Sequence, residues 1–163
     1  MTGVQTCALP ISVINDVLAL LEHQLEVAKI RVRRELCSPA LIVSGIEHQL
    51  QQVFLNLFLN ARDAMPKGGW LAVITRFDGA QAIVEVSDTG SGIPSEHLSR
   101  IYDPFFTTKA IGKGTGLGLS ITYGIVREHE GTLNCDSVLG QGTRFTLTMP
   151  AAGDASRPAL AMQ

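Results

Sequence analysis

Gly112-Lys113-Gly114-Thr115-Gly116-Leu117-Gly118-Leu119 is the stretch that decides the reading of this sequence. Its four glycines fall at alternate positions, immediately before a helical pattern that includes Leu119, Ile121, Ile125 and Val126. Such a run exposes consecutive backbone N–H groups at a helix start, where the helix dipole adds to their attraction for an anion, and phosphate is the obvious anion. A plain linker would carry serine and polar filler instead of running into an apolar helix. Spacing rules out two familiar phosphate loops. Gly112-Lys113 is followed by Gly114 where a Walker loop needs Ser or Thr. The fifth residue after both Gly112 and Gly114 is leucine where a dinucleotide fingerprint needs glycine.

Upstream, Asp103-Pro104-Phe105-Phe106-Thr107-Thr108-Lys109 sets two aromatics and a cation beside this run. That pattern suggests a mobile flap pinned by its phenyl rings, with Lys109 and Lys113 meeting phosphate oxygens as point charges. Two solvated lysines and a core phenylalanine pair fit the same residues. Further upstream, Asp88-Thr89-Gly90-Ser91-Gly92 follows a strand pattern ending near Val86. A carboxylate at a strand end can accept a hydrogen bond from an exocyclic amine such as that of adenine, although an ordinary Asp/Gly turn reads the same way. Downstream, Gly140-Gln141-Gly142-Thr143 is equally consistent with a hairpin turn.

Apolar spacing supplies the rest of the framework. Ile14, Val17, Leu18, Leu21, Leu25 and Ala28 step by three and four and predict an amphipathic helix from Ser12. A second helix is predicted over about 47–65, with Leu50, Val53, Phe54, Leu57, Ala61 and Ala64 on one stripe, ending at Pro66-Lys67-Gly68-Gly69. On that helix Asn56, Asn60 and Asp63 are spaced by four and three and form a separate polar stripe. An amide oxygen there can ligate Mg²⁺, which keeps waters and takes phosphate oxygens as further ligands; solvated positions on an amphipathic helix are the plainer alternative. Ile30 and Val32 alternating with Arg31 and Arg33 predict a short strand, the run Leu41-Ile42-Val43 after Pro39 another, and segments 70–77 and 82–86 two more around a turn at Asp78-Gly79, with two final strands after Gly131. Three helices able to cover only one face of these strands predict an α+β fold, a two-layer α/β sandwich with a mixed sheet covered on one face. Residues 1–11 lack a period and are expected to be a leader or truncation remnant outside the fold, and residues 151–163 a disordered tail.

Composition narrows the function classes. With 163 residues, 45% hydrophobic and 17% charged, the chain can bury a substantial core. A net charge of −2 gives no basic field to draw nucleic acid or anionic lipid, so neither is an expected partner. Cys7, Cys37 and Cys135 are far apart and odd in number, which fits a reducing compartment better than a disulfide framework or metal site. No apolar run approaches the roughly 18 residues of a membrane span.

Taken together and in order, the five motifs resemble the catalytic and ATP-binding domain of sensor histidine kinases. Its wider superfamily includes the gyrase B subunit, heat-shock ATPase chaperones and mismatch-repair ATPases. The resemblance covers residues 12–150 and implies the Bergerat-type ATP-binding fold. The segment Leu50-Gln51-Gln52-Val53-Phe54-Leu55-Asn56-Leu57-Phe58-Leu59-Asn60-Ala61 looks like the asparagine box. The wording Asn60-Ala61-Arg62-Asp63-Ala64-Met65-Pro66 and Pro104-Phe105-Phe106-Thr107-Thr108-Lys109 is most similar to a nitrogen-regulation-like branch.

The resemblance implies that Asn60 ligates Mg²⁺, Asn56 supports the phosphates or metal, and Asp88 reads the adenine amine. Gly90 and Gly92 would shape the base pocket and Thr143 brace it, with Asp63, Ile93, Phe105 and Lys109 as further ATP contacts. Residues 103–114 would be the lid, and the backbone at Gly114, Thr115, Gly116, Leu117, Gly118 and Leu119 would hold the phosphates. Hydrolytic members of the superfamily usually place a glutamate at position 56, whereas Asn56 is no general base, so transfer to a side chain is favoured over hydrolysis. The acceptor histidine is expected on a separate dimerisation domain, with a response-regulator receiver domain downstream and a cytoplasmic location. His23, His48, His97 and His129 read as surface or structural histidines, and Ile46 stands where the family often has an acid. A self-contained ATPase of gyrase or chaperone type and a non-catalytic nucleotide-binding module are the alternatives.

Overall fold

The computed structural model describes residues 6–8, 10–36, 41–107 and 116–154. In chain order the elements are β1 (Thr6–Ala8), α1 (Pro10–Val27), β2 (Ile30–Glu35), β3 (Leu41–Gly45), α2 (Glu47–Ala64), β4 (Gly69–Phe77) and β5 (Gln81–Asp88). A 3-10 helix (Ser95–Arg100), α3 (Gly118–Glu128), β6 (Thr132–Val138) and β7 (Gly142–Asp154) follow. The strands form one seven-stranded sheet in the order β1-β3-β7-β5-β4-β2, with β6 also on β7. β2 runs parallel to β4 and the other pairs are antiparallel, so the sheet is mixed, as the sequence predicts.

Period-two burial makes one face of that sheet the core. Leu71 and Val73 of β4, Ala82, Val84 and Val86 of β5, and Phe145, Leu147 and Met149 of β7 are all buried, while Ala72, Ile74 and Ile83 on the alternate positions are half-buried. The helices cover the buried face. α1 contributes Val13, Ile14, Val17, Leu18, Leu21 and Leu25, and α2 contributes Leu50, Val53, Phe54, Leu57, Phe58 and Ala61. The rings of Phe54 and Phe58 stack 6.1 Å apart at the centre of α2, each side chain worth roughly 2–3 kcal/mol of burial. Packing on this stripe points the opposite, polar stripe of α2 away from the core.

Both ends of the fold reach further than the apolar pattern predicts. Thr6, Cys7 and Ala8 pair antiparallel with Gly45, Ser44 and Val43, and α1 begins at Pro10, so exclusion of residues 1–11 is corrected for these positions. Three residues are too few to show a period, and a proline suits the first helical position because its missing N–H has no partner to lose. β7 likewise continues to Asp154, with Gly153 opposite Ile42 across a register shift that breaks the alternation. Residues 155–163 lie outside the described residues.

At the far end of α3, Gly131 N–H donates to Val126 O (2.9 Å) and Glu130 N–H to Arg127 O (3.0 Å), a Schellman closure that puts Glu130 at φ 61°. Glycine is favoured at that position because a side chain is strained in the left-handed region. Glu130→Gly is expected to raise unfolding stability by about 0.5–1 kcal/mol, net of glycine's entropy cost, as read by denaturant titration. His129, at the same helix end, has both ring nitrogens in use. Nδ1 lies 2.7 Å from Ile125 O and Nε2 accepts from Ile46 N–H at 3.2 Å, so this histidine fastens α3 to the start of α2.

Candidate functional site

The end of β5, the polar stripe of α2, the 3-10 helix and the start of α3 enclose a cleft of about 420 Å³. Asn56, Asn60 and Asp63 line it together, which places the whole polar stripe of α2 on one wall. Asp88, Gly92, Ile93 and Thr143 form a second wall, and Gly116, Gly118 and Leu119 a third. Residues separated by most of the chain thus converge on one concave site.

Each wall has a distinct job in the fold. Asn56 donates from Nδ2 to Gly118 O (3.2 Å) and to Thr122 Oγ1 (3.1 Å), tying α2 to the first turn of α3. Asn60 makes no side-chain hydrogen bond to the described residues, which leaves a half-buried amide oxygen in the cleft wall. Asp63 accepts from Arg62 Nε (3.2 Å) and Nη2 (3.0 Å), and Arg62 also donates to Gln24 Oε1 (2.5 Å) on α1. At the other wall Asp88 accepts from Gly90 N–H at 2.8 Å. Burial pushes its carboxyl above the usual carboxylate range, opposed by the N–H donors of Gly90 and Thr143.

The Asp/Gly segment is shaped by protein packing. A side chain on Gly90 would collide with Ala64 O at the end of α2, and one on Gly92 (φ 74°) with Val138 O of β6. Ser91 N–H donates to Ala64 O (2.9 Å) and Gly140 N–H to Ser91 O (2.6 Å), so the loop is clamped between α2 and the β6–β7 hairpin. The glycines therefore let two backbones meet, and Gly90 itself does not line the cleft. Ser137 completes the clamp. Its Oγ accepts from Ile93 N–H (2.7 Å), donates to Gly142 O (3.0 Å) and lies 2.8 Å from Thr143 Oγ1. Residues 140–143 are thus both a hairpin turn and, through buried Thr143, part of the cleft.

The phenylalanine pair divides its roles contrary to expectation. Phe105, expected at the nucleotide, is 73% exposed, sits at φ 69° and is absent from the cleft lining. Phe106 lines the cleft in its place. Consecutive residues cannot face the same way here, because Phe105 is turned by its own N–H donating to Gly116 O (2.8 Å). Leu117 also stands off the cleft; its carbonyl accepts from Ile121 N–H (2.9 Å) and Ser120 Oγ (3.0 Å) in the first turn of α3. Lys109, Gly114 and Thr115 lie outside the described residues, as does most of the expected lid. Cys135, half-buried on β6 opposite Phe145, has its thiol pushed up to about 12, chiefly by burial.

A family model described as histidine kinase-, DNA gyrase B-, and HSP90-like ATPase matches residues 45–153, which span all of these walls. The chain belongs to this family. Within it, the fold and sequence are those of a histidine-kinase catalytic domain. The catalytic domain of histidine kinase ThkA, solved in a nucleotide-free form, superposes with a TM-score of 0.82 at 30% identity, covering 91% of this chain and 98% of that one. Sensor kinase CckA of Brucella abortus (strain 2308) is 47% identical over 117 residues, 63% of this chain and 12% of the relative. Sporulation kinase A of Bacillus subtilis (strain 168) is 42% identical over 137 residues, 84% of this chain and 22% of the relative. The chain therefore spans under a quarter of either relative's length. In the histidine-kinase catalytic domain described here, ATP binding follows from the family, and the cleft is its candidate place.

Reading the sequence missed His97, Arg62, Phe106, Ser137 and Phe145. Ile93, His97 and Ile101 all line the cleft, but only His97 lies within the 3-10 helix Ser95–Arg100, so no helical period marks the three together. No pattern marks Ser137 either, whose role depends on a hairpin partner.

Proposed function

We propose that this domain binds Mg²⁺–ATP in the cleft and directs the γ-phosphate to a histidine on a separate dimerisation domain of its parent kinase. A response-regulator receiver domain then takes the phosphoryl group, and the cytoplasm, where ATP is held, is the place of reaction. The observation that carries transfer over hydrolysis is the bonding of Asn56. Its amide is committed to Gly118 O and Thr122 Oγ1, and an amide has no basic lone pair with which to activate water. The cleft's described carboxylates are Asp63 and Asp88. Asp63 is paired with Arg62 and stands about 10 Å along α2 from Asn56 by helix rise. Asp88 lies at the opposite wall.

The residues present suit the cation. Asn60 offers a neutral hard oxygen with no competing partner among the described residues, matching Mg²⁺ sites that take one or two protein ligands and complete their shell with phosphate oxygens and water. Bound there, Mg²⁺ supplies charge neutralisation across the phosphates. The chain's own part is positioning: Asp88 accepts the adenine amine, and the N–H groups opening α3 face the phosphates.

Labelled ATP incubated with the purified chain is expected to leave no stable phosphoryl group on it. Adding a histidine-bearing dimerisation domain from a related kinase is expected to give acid-labile label on that domain. Sustained phosphate release by the chain alone would replace this reading with a hydrolase.

A further inference from the structure

We propose that His97 is a second base-reading residue, donating from Nε2–H to a ring nitrogen of the purine and so separating ATP from CTP. The proposal rests on the cleft being the ATP site. His97 sits on the 3-10 helix Ser95–Arg100 and lines the cleft, held by its N–H to Pro94 O at 2.9 Å. Its Nδ1 is closed off from solvent and has no hydrogen-bond partner among the described residues. That leaves Nε2 as the ring nitrogen able to meet a ligand, and in the tautomer that carries its proton there Nε2 is a donor. The ring is half-buried and lines the cleft. Packing fixes the orientation: the ring meets Phe106 edge-on with centroids 5.4 Å apart at 67°, and Phe106 is in turn held by the Arg100 guanidinium, 4.7 Å from its centroid.

The donor stands at the base end of the cleft. Ile93, just ahead of the 3-10 helix that carries His97, is bonded through Ser137 Oγ to Thr143, which pairs with Asp88 across β5 and β7. Asn56 and Gly118 mark the opposite, phosphate end. Base recognition also lacks something without this donor. Asp88 accepts an exocyclic amine, and adenine and cytosine both carry one. A purine alone adds N7, whereas its N3 falls where cytosine offers the acceptor O2, so a donor on the neighbouring wall separates the two bases by reading N7.

The test compares calorimetric affinities for ATP, 7-deaza-ATP, 3-deaza-ATP and CTP in the wild-type chain, His97→Phe and Asp88→Asn. Phe retains the ring contact with Phe106 and removes the donor. Wild type is expected to bind 7-deaza-ATP about five-fold more weakly than ATP, the worth of one hydrogen bond. His97→Phe is expected to lose about the same factor for ATP, to lose nothing further for that deaza nucleotide, and to bind CTP unchanged. Wild type binding 7-deaza-ATP as tightly as ATP overturns the proposal without recourse to any variant. So does His97→Phe binding ATP as tightly as wild type; if Asp88→Asn weakens ATP in the same experiment, the ATP site stands and only the role of His97 falls. A wild-type chain that binds no ATP overturns both.

Discussion

Asp88→Asn is expected to weaken ATP binding by about 10- to 100-fold while leaving the ligand-free domain at least as stable as wild type. The Asp88 carboxylate takes Gly90 N–H at 2.8 Å, is also bonded by the backbone of Thr143, and lines the cleft. An asparagine keeps one oxygen. If that oxygen stays with the backbone donors, the amide N–H₂ meets the adenine amine donor to donor; if the amide flips, it meets Gly90 N–H instead. Stability moves the other way because burial raises the Asp88 pKa. A carboxyl whose folded pKa lies above its unfolded value favours folding when protonated, so its ionised form is a stability cost at neutral pH that is relieved as pH falls through the raised pKa. The neutral amide removes that cost. The same sign gives the binding profile: ATP affinity falls on acidification through a pKa above 3.8, and Asp88→Asn flattens that fall. Calorimetric titration at neutral and acidic pH, with thermal melting of the ligand-free chains, measures both effects, and an unchanged affinity at neutral pH removes Asp88 from base recognition.

The split between what the sequence reveals about this site and what it hides follows interaction range. Asn56, Asn60 and Asp63 were legible because helix geometry turns a spacing of four and three into one face, and the apolar stripe of α2 specifies which face is inward. The longer strands were legible from alternation over five or more residues, as in Phe145, Leu147 and Met149. Pairings made across the chain left no such trace: Thr6–Ala8 form a strand only because β3 offers an edge. Gly90 and Gly92 were expected to shape the base pocket, and only the folded chain shows that the backbones of Ala64 and Val138 are what approach them. The exchange of Phe105 for Phe106 has a similar origin. A side-chain direction in a loop depends on one backbone dihedral, here reversed by the bond to Gly116, and no periodicity encodes it.

The two asparagines of α2 are expected to fail in different ways, although both line the same wall. Asn60→Ala removes a side chain with no hydrogen bond to the described residues, so the ligand-free domain is expected to hold its stability within about 0.5 kcal/mol. Its loss falls on function: ATP affinity stops responding to added Mg²⁺, and transfer to a supplied histidine domain drops by about 100- to 1000-fold, the scale seen when a preorganised stabiliser of developing charge is removed. Asn56→Ala strikes the fold first. It strips the donor from Gly118 O and from the Oγ1 of fully buried Thr122, leaving acceptors at the α2–α3 seam without their partner at a cost of about 1–3 kcal/mol. Because that seam fixes where α3 begins, the N–H groups presented to the phosphates shift with it, and ATP affinity falls with or without Mg²⁺. Denaturant unfolding and ATP titrations across a Mg²⁺ series separate the two: a stability loss for Asn60→Ala equal to that for Asn56→Ala, or an ATP affinity in Asn60→Ala that still rises with Mg²⁺ as in wild type, would take the cation away from Asn60.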